Sequence, residues 1–207
     1  MVFPLMKKCF VVFVITLSLS PAYADFKIMG GLNLSRYNVR WADENTPFEQ
    51  RLGFQGGIGF EKKINHNILL EVDFMYFQKG MKTNRLENSG ILDKYRLNVV
   101  SVPVVFRLRN RFALASSYFF VGGVEISAIL SHNQSSDDME PVDLSDSTST
   151  LDFGLVFGGG YEFELQEFLF LFFEARYHWG LKNILNSPNG GEAWKTNSLL
   201  FVIGLRS

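Results

Sequence analysis

The chain has 207 residues and a formal charge of −1, and no run of Lys or Arg breaks that balance, which excludes a basic nucleic-acid-binding surface. Its single cysteine, Cys9, lies near the N-terminus, so the rest of the chain has no disulfide framework and must draw its rigidity from elsewhere. Aromatic residues make up 15%, with 21 Phe alone, and they recur at every second position rather than along helical faces.

The first segment reads as a secretory leader. Lys7 and Lys8 form a positive n-region, residues 9–19 an apolar stretch, and Ala22-Tyr23-Ala24 a small-x-small cleavage site. The apolar stretch is too short to span a membrane as a helix. Residues 1–24 are therefore expected to be a cleaved signal peptide and residues 25–207 a single domain. Cys9 precedes most of the apolar stretch, the wrong place for a lipoprotein cysteine. The only other long apolar segment, 117–130, is interrupted by Gly122, Gly123 and Glu125. A membrane-bound reading must then be a β-barrel, because only helices and closed barrels satisfy every backbone group in lipid.

Eight period-two segments follow. The first, about 26–37, puts Phe26, Ile28, Leu32 and Leu34 opposite Lys27, Gly31, Asn33 and Ser35. The second sets Leu52, Phe54, Ile58 and Phe60 against Gly53, Gln55, Gly57, Gly59 and Glu61. The third sets Ile68, Leu70, Val72, Phe74 and Tyr76 against Glu71, Asp73 and Lys79. In the fourth, 92–108, Tyr95, Leu97 and Val99 alternate well with Arg96. Beyond Val99 the segment is apolar on both parities and contains Pro103, so a bulge is expected there and the facing stays open. The fifth sets Tyr118, Phe120, Val124, Ile126 and Leu130 against Gly123, Glu125 and Ser127. The sixth sets Leu151, Phe153, Leu155, Phe157, Tyr161 and Phe163 against Asp152, Gly154, Gly158, Gly160, Glu162 and Glu164. The seventh sets Leu169, Leu171, Phe173, Tyr177 and Trp179 against Glu174, Arg176 and His178. The eighth carries Leu199, Phe201, Ile203 and Leu205.

Connections alternate short (63–66, 109–112, 165–167) and long (38–50, 81–91, 132–148, 182–196). That rhythm fits an all-β, eight-stranded antiparallel up-and-down transmembrane β-barrel with tight periplasmic turns and longer external loops. Glycines cluster on the polar parity, where side chains from opposite walls of so narrow a barrel would crowd. Tyr37, Tyr76, Tyr177 and Trp179 read as an interfacial girdle on the apolar parity. Both observations put the polar face inside and the apolar face in lipid. The alternative is a soluble periplasmic barrel that binds a small apolar ligand.

The segments "MGGLNLSRY", "GFQGGIGFEKKINHNILLEVDFMYFQKG", "VVSVPVVFRLR", "FFVGGVEISAIL" and "FGGGYEF…LFFEARYHWGLKNI" resemble the PorT-like outer-membrane β-barrel proteins, over nearly the whole mature chain. The resemblance implies an eight-stranded outer-membrane barrel, in a family some of whose members are linked to protein secretion and gliding assemblies. The chain departs from many outer-membrane proteins in ending Leu205-Arg206-Ser207 rather than in an aromatic residue.

On the inward parity stand Lys27, Arg51, Glu61, Glu71, Asp73, Arg96, Glu125, Asp152, Glu162, Glu174, Arg176 and His178. Charges of both signs facing one narrow lumen should pair, because a desolvated lone carboxylate is costly. The expected result is a structural polar core that plugs the interior. His178 is the one acid–base candidate, as in outer-membrane lipid hydrolases, but no His-x-Ser spacing accompanies it, so no catalytic residue is assigned. His66 and His132 fall in connections, too isolated for a metal set. Asp137, Asp138, Glu140, Asp143 and Asp146 crowd one loop without the spacing of a calcium site, and read as a solvated, mobile segment. Gly56-Gly57-x-Gly59 and Gly158-Gly159-Gly160 precede no helix and are not phosphate cradles. No metal or cofactor is expected. The expected partners are outer-membrane lipid and, through the external loops, envelope proteins, around a monomeric barrel.

Overall fold

The computed structural model describes residues 24–40, 48–84, 92–113, 115–136, 139–186 and 193–207; all but the last residue of the segment expected to be a leader, 1–24, lies outside them. Nine strands follow in chain order: β1 (Ala24–Arg40), β2 (Phe48–Lys63), β3 (Ile68–Asn84), β4 (Leu92–Ala113), β5 (Ser116–Ser136), β6 (Met139–Asp143), β7 (Leu151–Gln166), β8 (Leu169–Gly180) and β9 (Ala193–Arg206). Eight of them, all but β6, close into one antiparallel ring in the order β1-β2-β3-β4-β5-β7-β8-β9. The closing seam runs from Lys27 opposite Arg206 to Arg40 opposite Ala193. The sequence-derived architecture is therefore the observed one. The short β6 pairs only with the outer end of β5, where Asn133 faces Asp143.

Alternation fixes which face meets what. Phe26, Ile28 and Leu32 on β1, Leu52 and Phe54 on β2, and Phe201 and Ile203 on β9 are exposed, whereas Lys27, Asn33 and Ser35 between them are buried. The same inversion holds around the ring, giving outward apolar bands at 26–34, 52–60, 70–76, 100–108, 120–130, 153–163, 171–179 and 199–205. Six of them have the roughly 9–11 residues that a tilted strand needs to cross hydrocarbon, and 70–76 and 199–205 fall about two short. An apolar exterior around a charged interior is the reverse of a ligand-binding barrel in water, and it removes the soluble alternative. Inward glycines follow from crowding. A Cβ at Gly59 would lie 2.1 Å from Asp73 Oδ1 and 2.4 Å from Lys27 Cε.

Three expectations need correction. Tyr37 is not in the girdle; it shares the inward parity of Asn33 and Ser35 and is buried. The fourth strand carries no bulge at its proline. The β3–β4 register is unchanged from Ile68 opposite Leu108 to Asn84 opposite Leu92, and only the pairs around Asp73–Phe74 and Val102–Pro103 drop out of the ladder. That gap is what a residue without an N–H produces. The irregularity lies instead on the neighbour: Asn98 pairs with Ser131 and Val99 with Ile129, which leaves Leu130 as the extra residue of a bulge in β5. In consequence Leu97, Val99, Val105 and Arg107 face inward and are buried. Arg96 faces outward and is exposed, so it does not belong to the lumen. The inward parity of β4 is largely apolar near the mouth, which is why polarity misread it.

Candidate functional site: the closed lumen

Toward the short-turn end, seven of the eight barrel strands contribute to one ionic assembly. Lys27 from β1 contacts Glu71 closely, lies 2.9 Å from Asp73 and 3.8 Å from Glu61. Arg107 from β4 reaches Glu71 at 3.0 Å, Glu61 and Glu174 at 3.4 Å and Glu162 at 3.7 Å. Its guanidinium also stacks 3.9 Å from the centre of the Phe119 ring. Arg176 from β8 touches Glu71 and Glu174 closely and donates to Asp73 at 2.7 Å. Arg206 from β9 bonds Asp25 at 3.0 Å and Glu162 at 3.3 Å, and Arg109 meets the other oxygen of Glu162 at 3.1 Å. Arg107, Glu71 and Asp73 are fully buried. Cations that each serve three or more carboxylates answer the cost of burying charge, which isolated pairs often fail to do. Arg206 thereby ties β9 to β1 through Asp25 and to β7 through Glu162.

A second, smaller group lies above it. Glu125 accepts from Lys79 at 3.1 Å and Ser127 at 2.7 Å and touches His178 Nδ1 closely. Asp152 accepts from Thr196 at 2.7 Å. Apolar inward residues, among them Phe77, Phe172, Val156 and Leu200, pack between the polar groups. Arg51 is half-buried near the mouth and donates to the Lys79 carbonyl at 3.2 Å rather than joining the ionic assembly.

The long-loop end is closed differently, by rings and loops. Tyr37, Tyr95, His132 and Trp194 contact one another, with centroids 5.4 Å apart for Tyr95–Trp194 and 5.7 Å for Tyr37–Trp194. The Leu130 bulge turns His132 inward, correcting its placement in a connection. Residues 144–150 and 181–186 fold over this cluster. The Ser149 amide donates to the Ile184 carbonyl at 2.7 Å, the Ile184 amide to Trp194 at 2.9 Å, and Asn186 to Ser147 at 3.0 Å. Ile184 is fully buried. The Thr148 hydroxyl donates to the Leu144 carbonyl at 2.8 Å, so it accepts from His132 Nδ1–H at 2.8 Å, and Nε2 is left to accept from the Tyr37 hydroxyl at 3.4 Å. This chain of bonds needs the neutral imidazole. His132 lies beyond the apolar band, and its burial pushes the pKa down to about 4, in agreement.

The loop expected to be solvated and mobile is therefore in part a lid. Its outer portion is solvated but pairs with β5 as β6: Asp143 is exposed, its carboxyl held below the usual range by bonds from Ser145. Asp137 and Asp138 lie outside the described residues. Among the described residues no His, Cys, Asp and Glu side chains group as a metal site.

The model of the outer membrane protein beta-barrel domain family matches residues 18–186. The chain belongs to that family. It is an outer-membrane β-barrel, and the apolar bands are its lipid-facing wall. A search of curated protein sequences found no match. Among solved structures, OprG from Pseudomonas aeruginosa is similar with a TM-score of 0.55 at 14% identity, over 89% of this chain and 95% of that one. Neisserial surface protein A aligns with a TM-score of 0.53 at 13% identity, over 87% and 95%. A major outer membrane protein from Thermus thermophilus gives 0.50 at 10% identity, over 88% and 98%. At such identities the likeness is one of fold.

Within this outer-membrane barrel, Lys27, Glu61, Glu71, Asp73, Glu162, Glu174 and Arg176 come together, with Glu125, His178 and Asp152 one level above. Parity missed Arg107, because the facing of β4 was open, and Arg206, because nothing marks the final strand as charged until its register is known. It also missed a juxtaposition. Ser198 pairs directly with His178 across β8–β9, its hydroxyl without a hydrogen-bond partner. A search along one strand for His-x-Ser cannot find a pair made between strands. Ser198, His178 and Glu125 are each at most 4% exposed inside the lumen, a burial that keeps them away from a lipid-borne acyl group.

Proposed function

We propose that this outer-membrane barrel is a non-conducting, monomeric scaffold, with a structural or interaction role carried by its external loops. The observation that carries this reading is the double closure of the lumen, ionic at the short-turn end and aromatic at the long-loop end. An eight-stranded ring leaves an interior just wide enough for side chains, and here large charged groups fill it. The chain reaches the outer membrane through its leader by the general secretory route. Its short turns and both termini face the periplasm, and its long loops face outward, where they meet envelope proteins. The resemblance to PorT-like barrels favours a link to secretion or envelope biogenesis. Protein reconstituted in planar bilayers should give no stable conductance steps; reproducible open states would contradict the plugged lumen. For orientation, the mature chain lacks cysteine, so single cysteines can be introduced without background. A cysteine replacing Ser136 should react with an impermeant thiol reagent on intact cells, and one replacing Asn65 or Gln166 only after the outer membrane is opened. The reverse pattern would overturn the orientation.

A further inference from the structure

Among the side chains that close the long-loop end, one pair is arranged for chemistry as well as for packing. Tyr37 is buried, and its hydroxyl lies 3.4 Å from His132 Nε2. His132 Nδ1 is committed to Thr148, so the nitrogen that faces the phenol is the one carrying a lone pair. A buried phenol beside an unprotonated imidazole nitrogen has a base within reach and needs no water to lose its proton. At rest the proton stays on Tyr37, because burial holds the phenol well above its ordinary pKa. Removal of an electron from the ring reverses that preference. A phenol radical cation is a charge inside an apolar site, which is costly, and it is a strong acid. A histidine whose own burial has pushed its pKa down to about 4 still accepts a proton from such a group.

Two further rings connect this pair to the surface. Trp194 lies 5.7 Å from Tyr37 and 5.4 Å from Tyr95, ring centre to ring centre. The imidazole of His132 stands 5.8 Å from Tyr37 and 6.2 Å from both Tyr95 and Trp194. Tyr37 and Trp194 are buried, whereas Tyr95 is partly exposed. The row Tyr95–Trp194–Tyr37 therefore has one end within reach of solvent and one end sealed beneath the loop segments. Electron transfer between rings this close needs no contact between the oxidant and the innermost ring. The base stands at the sealed end, where an escaping proton has to be caught.

We propose that Tyr37 is a redox-active tyrosine that gives one electron to oxygen-centred radicals of the peroxyl class, with His132 as its proton acceptor and Trp194 and Tyr95 as the electron path. The electron leaves at Tyr95 and reduces the peroxyl radical to a hydroperoxide anion, which takes a proton from water. The electron deficiency passes through Trp194 to Tyr37. There the Oη–H bond breaks, a bond forms between that proton and His132 Nε2, and a neutral tyrosyl radical faces an imidazolium. The hydrogen bonds survive the change. Nδ1–H still donates to Thr148, and the new Nε2–H donates to the phenoxyl oxygen. A thiol or another one-electron reductant returns the electron, and the proton moves back from Nε2 to Oη. The side of the membrane from which the radical arrives rests on the orientation proposed above; the chemistry of the pair does not.

The test uses the refolded full mature chain in detergent micelles, oxidised by flash-generated ruthenium(III) tris-bipyridine, a one-electron oxidant that stays in water. High-field electron paramagnetic resonance reads the product. The wild type should give a neutral tyrosyl radical whose largest g component is lowered by a hydrogen bond from the imidazolium, and its formation should slow in deuterium oxide. Tyr37→Phe should abolish that signal. His132→Gln keeps side-chain hydrogen bonding to Tyr37 and Thr148 but accepts no proton, so the lowered g component and the isotope effect should both be lost. Trp194→Phe should slow formation of the radical and leave its spectrum unchanged. Retained heat-modifiable mobility on gels confirms that each variant folds. A role in packing alone would change the stability of these variants and not the g component. Absence of the signal in the wild type, or its survival in folded Tyr37→Phe, would overturn the proposal. Survival of both the lowered g component and the isotope effect in His132→Gln would overturn it as well, because another group would then take the proton.

Discussion

The two ends of the lumen are shut by different chemistry. At the short-turn end, side chains projecting from the strands themselves meet as ions, and the strands are held by the contacts they make with one another. At the long-loop end, two loop segments lie over four aromatic rings and are fixed by hydrogen bonds to one another, and one of them is tied to the rings through the Thr148–His132 bond, which depends on the protonation of His132. The first closure is rigid because removing any member strands a buried charge. The second is held by contacts of ordinary strength, each worth about 1 kcal/mol. The protein thus has a permanent plug and a lid that can be loosened without disturbing the wall.

The sharpest way to break that contrast is to remove one cation from the plug. Arg176→Ala leaves Glu71, Asp73 and Glu174 short of their shared partner. The expected loss is about 3–5 kcal/mol of unfolding free energy, the range for breaking a buried ionic network. Urea unfolding in lipid vesicles measures it, and a loss below about 1 kcal/mol would mean that water reaches the cluster and the plug is open. Glu174→Ala removes a carboxylate that Arg176 and Arg107 can partly replace with Glu71, so its loss should be smaller.

Acid should act on the lid before it acts on the plug. The His132 pKa lies near 4 in the folded protein, below its ordinary value of 6.5. The unfolded or opened state therefore binds the proton more readily, and the sign follows from linkage. The lid's stability is fully present above pH 6.5 and declines as pH falls from 6.5 toward 4, by at most about 3 kcal/mol. A second proton on His132 would leave the Tyr37 hydroxyl without its acceptor. Trp194 fluorescence, in a chain with Trp41 and Trp179 replaced by Phe, should change across that window while the far-ultraviolet strand signal holds. Loss of both signals together would show that lid and wall are one cooperative unit. Tyr37→Phe should remove one bond of the chain and about 1 kcal/mol of lid stability.

The contrast also explains what the sequence could tell. The plug was legible because a strand's side chains alternate strictly, so Lys27, Glu61, Glu71, Asp73, Glu162, Glu174 and Arg176 could be placed inside without knowing any distance. Where alternation itself was ambiguous, legibility ended. Leu97 and Val99 are apolar yet inward, so polarity assigned Arg96 to the lumen and could not find Arg107. The lid was not legible at all. It depends on a one-residue bulge at Leu130 and on loop segments meeting across the barrel, and neither leaves a periodic trace.

A third measurement probes the wall between these closures. The β2–β3 ladder lacks pairs between Gln50 and Gln55, where the register shifts. Side chains of β1 fill the interval: Asn33 Nδ2 donates to the carbonyls of Phe54 at 3.3 Å and Gln78 at 3.2 Å, and the Ser35 hydroxyl accepts from the Gly80 amide at 2.8 Å. Asn33→Ala should cost about 1–2 kcal/mol through the carbonyls it leaves unsatisfied. Amide exchange should rise at 52–54 and 78–80 and not along the β1–β9 seam. A uniform rise would mean that the split is not a separate opening unit.

The smallest expected effect lies at the tight turn between β7 and β8, away from both closures. Phe168 adopts φ 67°, the left-handed region that residues with a branched or bulky Cβ substituent avoid. Its ring is 74% exposed, so little packing offsets the strain. Asn enters this region more easily because its short polar side chain bonds locally, and the penalty it escapes is of order 1 kcal/mol. Phe168→Asn should therefore raise the unfolding free energy by up to about 1 kcal/mol in detergent micelles, with no change at either end of the lumen. In a bilayer the gain should shrink if the ring sits at the interface, where an aromatic side chain is itself favoured. Comparing the two media separates the backbone contribution from the anchoring one. A loss of stability in both would mean that the Phe168 ring makes contacts stronger than its exposure indicates.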